Sequence, residues 1–501
     1  MSPVACFAQS EEERSVSPRP AGDDVAPESQ ATNGGALDVA SEPDGPITGS
    51  RDLLRRFGID DSQFARLTDH RPFGPDEEDL ALRVMYRLGR FRLVDVEHWA
   101  RPRFPVDEVF PSPESSRGEL FWLAGRVTEI EKLEPAPEVA ERFELPAYYV
   151  CTLQMQPQGQ PAQVIVRDIP LEWKIKEGPL DERAAAYGLF LKFGGANASE
   201  ASPVFVARRI AWHPSTLLGS LGMDAGLLED IRNRRPLTAH DREAFYQLLA
   251  AVGRAKPGQL SRAARQSLVE AHESRTWTTR QGQTRWSVVP LFNEPERQHG
   301  VLVELEGTAR LAERIDVRDP DIVARFGIDH YYQIALFTPD SQGNPLWFCV
   351  RELPEGMPLG ADAEFAEHVR IAGFFFKTWA YRRGRTPQEI SAGETGPWQL
   401  APLLIGHRAV WYPTAIDRPN PYIGAIAGGL FVLTLAGLWI AAWRYSRGDR
   451  EFHERTIAKE YSIPSGVSLD EMGLEASPQP DFRHLAESDT GPSHVVSSGD
   501  E

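Results

Sequence analysis

The sequence predicts an α+β protein, mainly β, built as two tandem copies of one unit and followed by a single transmembrane helix. Each unit is expected to be a helical lead and a five-stranded β-module. Three observations predict this. Leu53 to Arg90 recurs without a gap as Leu217 to Arg254. Residues 118–214 recur, with gaps, in residues 299–413. Tyr422 to Trp443 carries no charged residue.

The chain opens on a segment, residues 1–50, with nine acidic residues against Arg14 and Arg19, a balance of −7. The last 56 residues, 446–501, hold twelve acids against five bases, again −7. Of the net charge of −18, the folded middle therefore keeps only about −4, too little to form an electrostatic footprint for nucleic acid. Both ends are rich in Ser, Pro, Gly and acids and poor in apolar residues, so residues 1–50 and 444–501 are expected to be disordered. Cys6-Phe7-Ala8 before Gln9-Ser10 places small residues at the −3 and −1 positions of a cut after Ala8, as at the end of a signal peptide. Residues 1–8 are accordingly expected to be a signal-peptide remnant. Seven lysines against 47 arginines point to a GC-rich bacterial genome.

Unit 1 spans 51–214 and unit 2 spans 215–414. In the leads, Leu53, Leu54, Gly58, Asp60, Arg71, Pro72, Gly89 and Arg90 match Leu217, Leu218, Gly222, Asp224, Arg235, Pro236, Gly253 and Arg254. One helix is predicted in each. The first opens at Pro75 with Asp76, Glu77 and Glu78; the second opens at Thr238 with Asp241 three residues on. Gly89 and Gly253 should stop them. The stripe Leu80, Val84, Leu88 recurs as Ala244, Leu248, Val252, so both helices present one apolar face in the same way.

Downstream, Gly125 matches Gly307, Arg142-Phe143 matches Arg325-Phe326, and Tyr148-Tyr149 matches Tyr331-Tyr332. Gly188 through Lys192 (GLFLK) matches Gly373 through Lys377 (GFFFK). Five strands are predicted in the first module: Leu120 to Ile130, Tyr148 to Gln154, Gln163 to Arg167, Tyr187 to Phe193 and Val204 to Ile210. A short helix is predicted between the third and fourth strands, at Leu180 to Ala186 and, in the second copy, at Ala361 to His368. Glycine inside the long first strand marks a bend or bulge. Five strands, a helix after the third and a bent first strand resemble the OB-fold, in segments 118–214 and 299–413. A small β-sandwich is the alternative.

Tyr422 to Trp443 is long enough, at ~1.5 Å per residue, to cross a ~30 Å hydrocarbon layer. Tyr422, Trp439 and Trp443 would mark its interfaces. Five basic residues follow it within the next sixteen, against Arg408 and Arg418 before it, which predicts a cytoplasmic tail and an extracytoplasmic body on a bacterial cell membrane. Gly424 with Gly428, and Ala425 with Gly429, form small-xxx-small pairs that predict a homodimer through the helix.

No catalytic, cofactor-binding or metal-binding residue is expected. There is no P-loop, dinucleotide fingerprint, nucleophile elbow, H-E-x-x-H or C-x-x-C, and His213, His330, His368 and His407 stand apart from other ligand types. Tyr148, Tyr149, Tyr331, Tyr332, Trp347 and Phe348 lie on strands that could stack bases, but neighbours on a strand point to opposite faces, and core packing is the expectation for most. The expected function is a non-enzymatic, membrane-anchored envelope protein whose modules bind a protein, a glycan or a small ligand. The alternatives are an accessory or degenerate subunit of a membrane enzyme complex, and a cytoplasm-facing nucleic-acid binder.

Overall fold

In the computed structural model the described residues are 46–413, except 158, 177, 196–199, 362–363 and 383–396, together with 426 and 428–444. The expectations for residues 1–45 and 445–501 lie outside the described residues. Residues 46–413 form a mixed α+β structure with two similar β units.

In unit 1 the lead helix Pro75–Leu88 forms where it is predicted. Pro75 stands at its first position, three acids occupy its first turn, and Gly89 caps it. Leu80, Val84 and Leu88 are 4%, 0% and 2% exposed, so the predicted stripe is the buried face. Strands β1 (Leu120–Leu133), β2 (Tyr148–Met155), β3 (Gln160–Val166), β4 (Glu182–Gly194), β5 (Ser202–Ala207) and β6 (Ala211–Trp212) follow. Their order is β1-β2-β3-β5-β4-β6, and β1 also pairs with β4. The first five thus close on themselves, with β3 and β5 parallel and the other neighbours antiparallel.

Unit 2 adds a short hairpin, β7 (Thr276–Thr278) and β8 (Thr284–Trp286), ahead of its own barrel. Strands β9 (Leu302–Asp316), β10 (His330–Phe337), β11 (Leu346–Glu352), β12 (Glu367–Arg382) and β13 (Trp398–Tyr412) close in the order β10-β11-β13-β12-β9. Here too the third and fifth strands, β11 and β13, run parallel.

Each first strand serves two neighbours by bending at its glycine. Residues 120–127 of β1 pair with β4 and 125–133 with β2. A Cβ on Gly125 would stand 2.1 Å from the Gln154 carbonyl oxygen, and one on Gly307 would stand 2.2 Å from that of Phe337. Only glycine lets the second strand come so close at the crossover.

The fourth strands are covered on both faces, which is why GLFLK and GFFFK are apolar without alternation. Leu189 and Leu191 pack toward the lead helix with Leu80 and Val84, while Phe190 joins Phe121 and Phe205 inside the barrel. In unit 2, Phe374 and Phe376 join Leu248 and Val252, and Phe375 joins Phe348 and Ile371.

Two local expectations are corrected. The short helix after the third strand is Leu171–Ile175, and residues 182–186 are strand, because Ala184, Ala185 and Ala186 pair with β1 and the ladder overrides alanine's helical preference. In unit 2, Glu367 and His368 likewise begin β12 and pair with β9. The second lead helix runs Arg242–Gly253, starting after Asp241 instead of at Thr238.

The membrane assignment is also corrected. Among the described residues no helix is long and apolar enough to cross a membrane. Tyr422, Gly424 and Ala425 lie outside the described residues. Gly428 and Gly429 have nothing within 4 Å of a Cβ position, and Trp439 and Trp443 are exposed. The membrane localisation, its sidedness and the homodimer through a membrane helix all rested on that span and are withdrawn with it.

Candidate functional site

Two arrangements of polar side chains stand out from the apolar packing, one present in both units and one confined to unit 2. The shared one begins at the lysines that end GLFLK and GFFFK. Lys192 is 0% exposed and Lys377 1%. The strand register slips just before each, between Phe190 and Lys192 and between Phe375 and Lys377. Such a bulge re-aims the following side chain, here toward the start of the lead helix. Lys192 Nζ donates to Glu77 Oε2 at 2.7 Å and lies 4.9 Å from the Phe73 ring. Lys377 Nζ lies 3.2 Å from both carboxylate oxygens of Asp241.

Glu77 and Asp241 hold the same place in the two leads, and each also ties down its helix entry. Glu77 accepts from the Thr68 and Gly74 N–H groups, and Asp241 from the Thr238 N–H and hydroxyl. Burial raises the Glu77 carboxyl, but Lys192 and the two N–H donors outweigh it and hold the group below the ordinary carboxylate range. Burial pulls the Lys377 ammonium below its usual value, against the attraction of Asp241.

A second layer repeats with altered chemistry. Asp69 accepts from the Phe193 N–H and pairs with Arg117. At the matching place Asn233 accepts from the Thr378 N–H, and its amide lies 3.0 Å from His299 Nε2. The buried ion pair of unit 1 is thus a neutral pair in unit 2, and burial lowers His299 to about 4. These layers fasten each lead to its barrel through paired side chains.

The units meet through groups that the duplication reuses. Arg142 pairs with Asp79 within unit 1. Its counterpart Arg325 makes two bonds to Glu243, at 2.7 and 2.8 Å, and reaches Glu97 of unit 1 at 2.9 Å while 3% exposed at its side chain. Burial pulls the guanidinium down, but Glu243 and Glu97 hold it above its ordinary value. Asp224, 1% exposed, accepts from the Trp212 N–H at the end of unit 1, and burial raises its carboxyl. A hollow of about 790 Å³ lies at this junction, lined by apolar groups such as Leu171, Ile175, Leu228 and Phe374.

The arrangement confined to unit 2 is a cleft of about 310 Å³ against the barrel wall. Its outer side is made by helix Gln259–Val269 and the β7–β8 hairpin. Trp286 anchors the hairpin, being 5% exposed with its indole N–H donating to the Ala264 carbonyl at 3.2 Å. Trp277 and Arg285 are direct cross-strand partners, so both side chains leave the same face of the hairpin, toward the cleft. The barrel supplies Glu304 and Glu306 from β9 and Arg370 from β12.

The cleft's charges are mutually engaged. Arg265 holds Glu304 through two bonds, at 2.8 and 3.2 Å, and Arg370 approaches the same carboxylate at 3.3 Å. Arg285 pairs with Glu306, which His368 also meets at 3.2 Å. Burial raises the Glu306 carboxyl, yet Arg285 and His368 outweigh it and hold the group below its ordinary range. Asp340 accepts from the Val288 N–H and the Thr338 hydroxyl.

Among the described residues, no group of three or more His, Cys, Asp or Glu is placed to hold a metal ion. Cys151 and Cys349 are buried free thiols pushed up by burial. Of the strand aromatics, Tyr148, Tyr331, Trp347 and Phe348 are 5%, 1%, 5% and 0% exposed, so they are core; Tyr149 and Tyr332 are half-buried. His368 is the one histidine of the four considered in the sequence that lies beside the cleft, where it pairs with Glu306 and not with a metal-ligating partner.

Sequence reasoning missed both arrangements. The paired lysines carried a usable signal: in a chain with seven lysines, one ends each copy of the same five-residue motif. The cleft carried a weaker one, the residues between Gly253 and Leu302 that make unit 2 the longer copy.

No protein-family model matches the chain. No curated protein matches it either. Eight chains of solved structures do. One is described as a putative aspartyl-tRNA synthetase from Leishmania major Friedlin; the similarity covers 47% of this chain and 46% of that one, at 10% identity and a TM-score of 0.16. The chain spans less than half the length of that protein, and so distant a likeness leaves fold and function to be argued from the residues themselves.

Proposed function

We propose that this protein is a non-enzymatic binding protein with two OB-like barrels, and that the cleft of unit 2 is where it takes a small ligand or the end of a glycan or protein chain. Two features support the OB-like reading: five strands closed in the order 1-2-3-5-4, and a parallel pairing of the third and fifth in each barrel. A fold of that kind hosts many functions, so the function rests on the cleft. The single observation that carries it is a preformed hollow of about 310 Å³ walled by a hairpin added to unit 2 and the helix Gln259–Val269, and lined by fixed polar groups around Trp277. Unit 1 supports unit 2 through Arg325 and Asp224 and acts as its scaffold.

The test is ligand-dependent stabilisation of the full chain. A compound held in the cleft and present at ~100 times its Kd should stabilise the fold by about 2.7 kcal/mol. Thermal denaturation across a chemically varied library of small polar compounds should therefore yield hits whose shift disappears in Arg370→Ala. Hits that stabilise wild type and Arg370→Ala equally would place binding elsewhere. In a gel-shift titration at ~150 mM salt, single-stranded DNA should fail to bind, because the middle of the chain carries a net charge of only about −4. Salt-sensitive retardation at micromolar protein would replace the cleft reading with a nucleic-acid one.

A further inference from the structure

We infer that the cleft of unit 2 recognises a neutral saccharide, with the Trp277 ring as its stacking platform; the inference rests on the cleft reading above. Three observations lead there.

The first is charge. The ionisable groups lining the cleft are Arg265, Arg285 and Arg370 against Glu304, Glu306 and Asp340, with His368 next to Glu306. The arginines and glutamates are engaged with one another, and Asp340 is held by the Val288 N–H and Thr338. An anionic ligand would meet three carboxylates, and a cationic one three guanidinium groups. Either would have to break a paired network and leave a partly buried charge behind, which is costly. A neutral ligand leaves the network whole.

The second is hydrogen-bonding capacity. Pairing consumes only part of it, since a guanidinium carries five N–H donors and a carboxylate about four lone-pair sites. Gln283 adds an amide from the hairpin side and Thr338 a hydroxyl from the barrel side. Donors and acceptors are therefore both present in the lining. A sugar hydroxyl donates and accepts at once, so a ring with several of them is the chemistry that uses such a lining most fully.

The third is the apolar side. The Trp277 indole N–H is committed to the Trp286 carbonyl at 3.1 Å, which sets the ring's orientation and leaves its carbon surface as the contact. Leu268 of helix Gln259–Val269 adds apolar surface to the same lining. The apolar C–H face of a pyranose suits a flat ring of this kind, and the volume sits at the small end of ligand pockets, which run roughly 300–1,000 Å³. That limits the occupant to the terminal one or two rings of a glycan.

The experiment is calorimetric titration of the full chain with maltotriose, cellotriose and chitotriose, beside a hexuronic acid trisaccharide, inorganic phosphate and trialanine. At least one neutral trisaccharide should bind, with an affinity that changes less than about twofold between ~50 and ~500 mM salt, because no counterions are released. Trp277→Ala should weaken it at least tenfold, and Trp277→Phe less. Gln283→Ala, an exposed change that leaves the hairpin anchor intact, should weaken it severalfold and covers the case in which Trp277→Ala loosens the hairpin. Cleft-dependent binding of a charged probe alone would overturn the saccharide and leave the cleft as the site. Saccharide binding unmoved by these variants, or no binding sensitive to them for any probe, would overturn the saccharide in the cleft, and the latter result would take the cleft reading with it.

Discussion

Lys192 and Lys377 show how a single side chain can fasten two elements. Each is aimed by a strand bulge at the start of the lead helix, where a carboxylate already ties down the backbone. A buried ion pair is no guarantee of net stability, but removing one partner leaves the other charge uncompensated. Lys192→Met should therefore cost about 3 kcal/mol in urea denaturation, and the double variant Lys192→Met/Glu77→Gln less than the sum of its parts. Because the Glu77 carboxyl is depressed in the fold, the pair's contribution is present above the ordinary carboxylate range and is lost as pH falls through the folded value. The difference between wild type and Lys192→Met should shrink accordingly in acid. A loss under about 1 kcal/mol at neutral pH would mean that the pair is only tolerated, with no fastening role.

At the scale of elements, the barrels depend on a first strand long enough to pair with two neighbours and bent enough to reach both. Gly125 and Gly307 sit where the pairing passes from one neighbour to the other, and a methyl group there would collide with a carbonyl oxygen. Gly307→Ala should destabilise unit 2 by about 3 kcal/mol, since overpacking against backbone has little room to relax. Gly74→Ala, with nothing within 4 Å of its Cβ position, should cost under about 1 kcal/mol. Thermal melts of the two variants decide it: equal losses would show that the close crossover has no special role.

Across the two units, matching residues form an ion pair within one and an interface in the other. Arg142 and Asp79 are a half-exposed pair on unit 1, while Arg325 and Glu243 form the same pair with Glu97 added from the neighbouring unit. Arg325→Met would leave Glu97 and Glu243 near each other without their cation, at a cost of about 3–5 kcal/mol. We expect the coupled unfolding of residues 46–413 to separate into two transitions in that variant, while Glu97→Gln, which keeps the Glu243 bonds, separates them less. A single transition shifted by under 1 kcal/mol would show that the apolar junction alone holds the units together.

The sequence by itself determined the features that local rules and repetition govern. The two similar β units, the lead helix with its buried stripe of Leu80, Val84 and Leu88, the bent glycines and the burial of at least one aromatic in each adjacent pair were all legible, because capping, periodicity and strand alternation act over a few residues. Tertiary structure decided the rest. Ala184 to Ala186 became strand because β1 lies beside them, and among the described residues no helix proved long and apolar enough for the span that composition had promised. The lysine pairs join residues 115 and 136 positions apart, and the cleft brings Arg265, Trp277, Glu304 and Arg370 together from four elements. No local pattern encodes such meetings, since only the closed barrel brings residues so distant in sequence within hydrogen-bonding reach of one another.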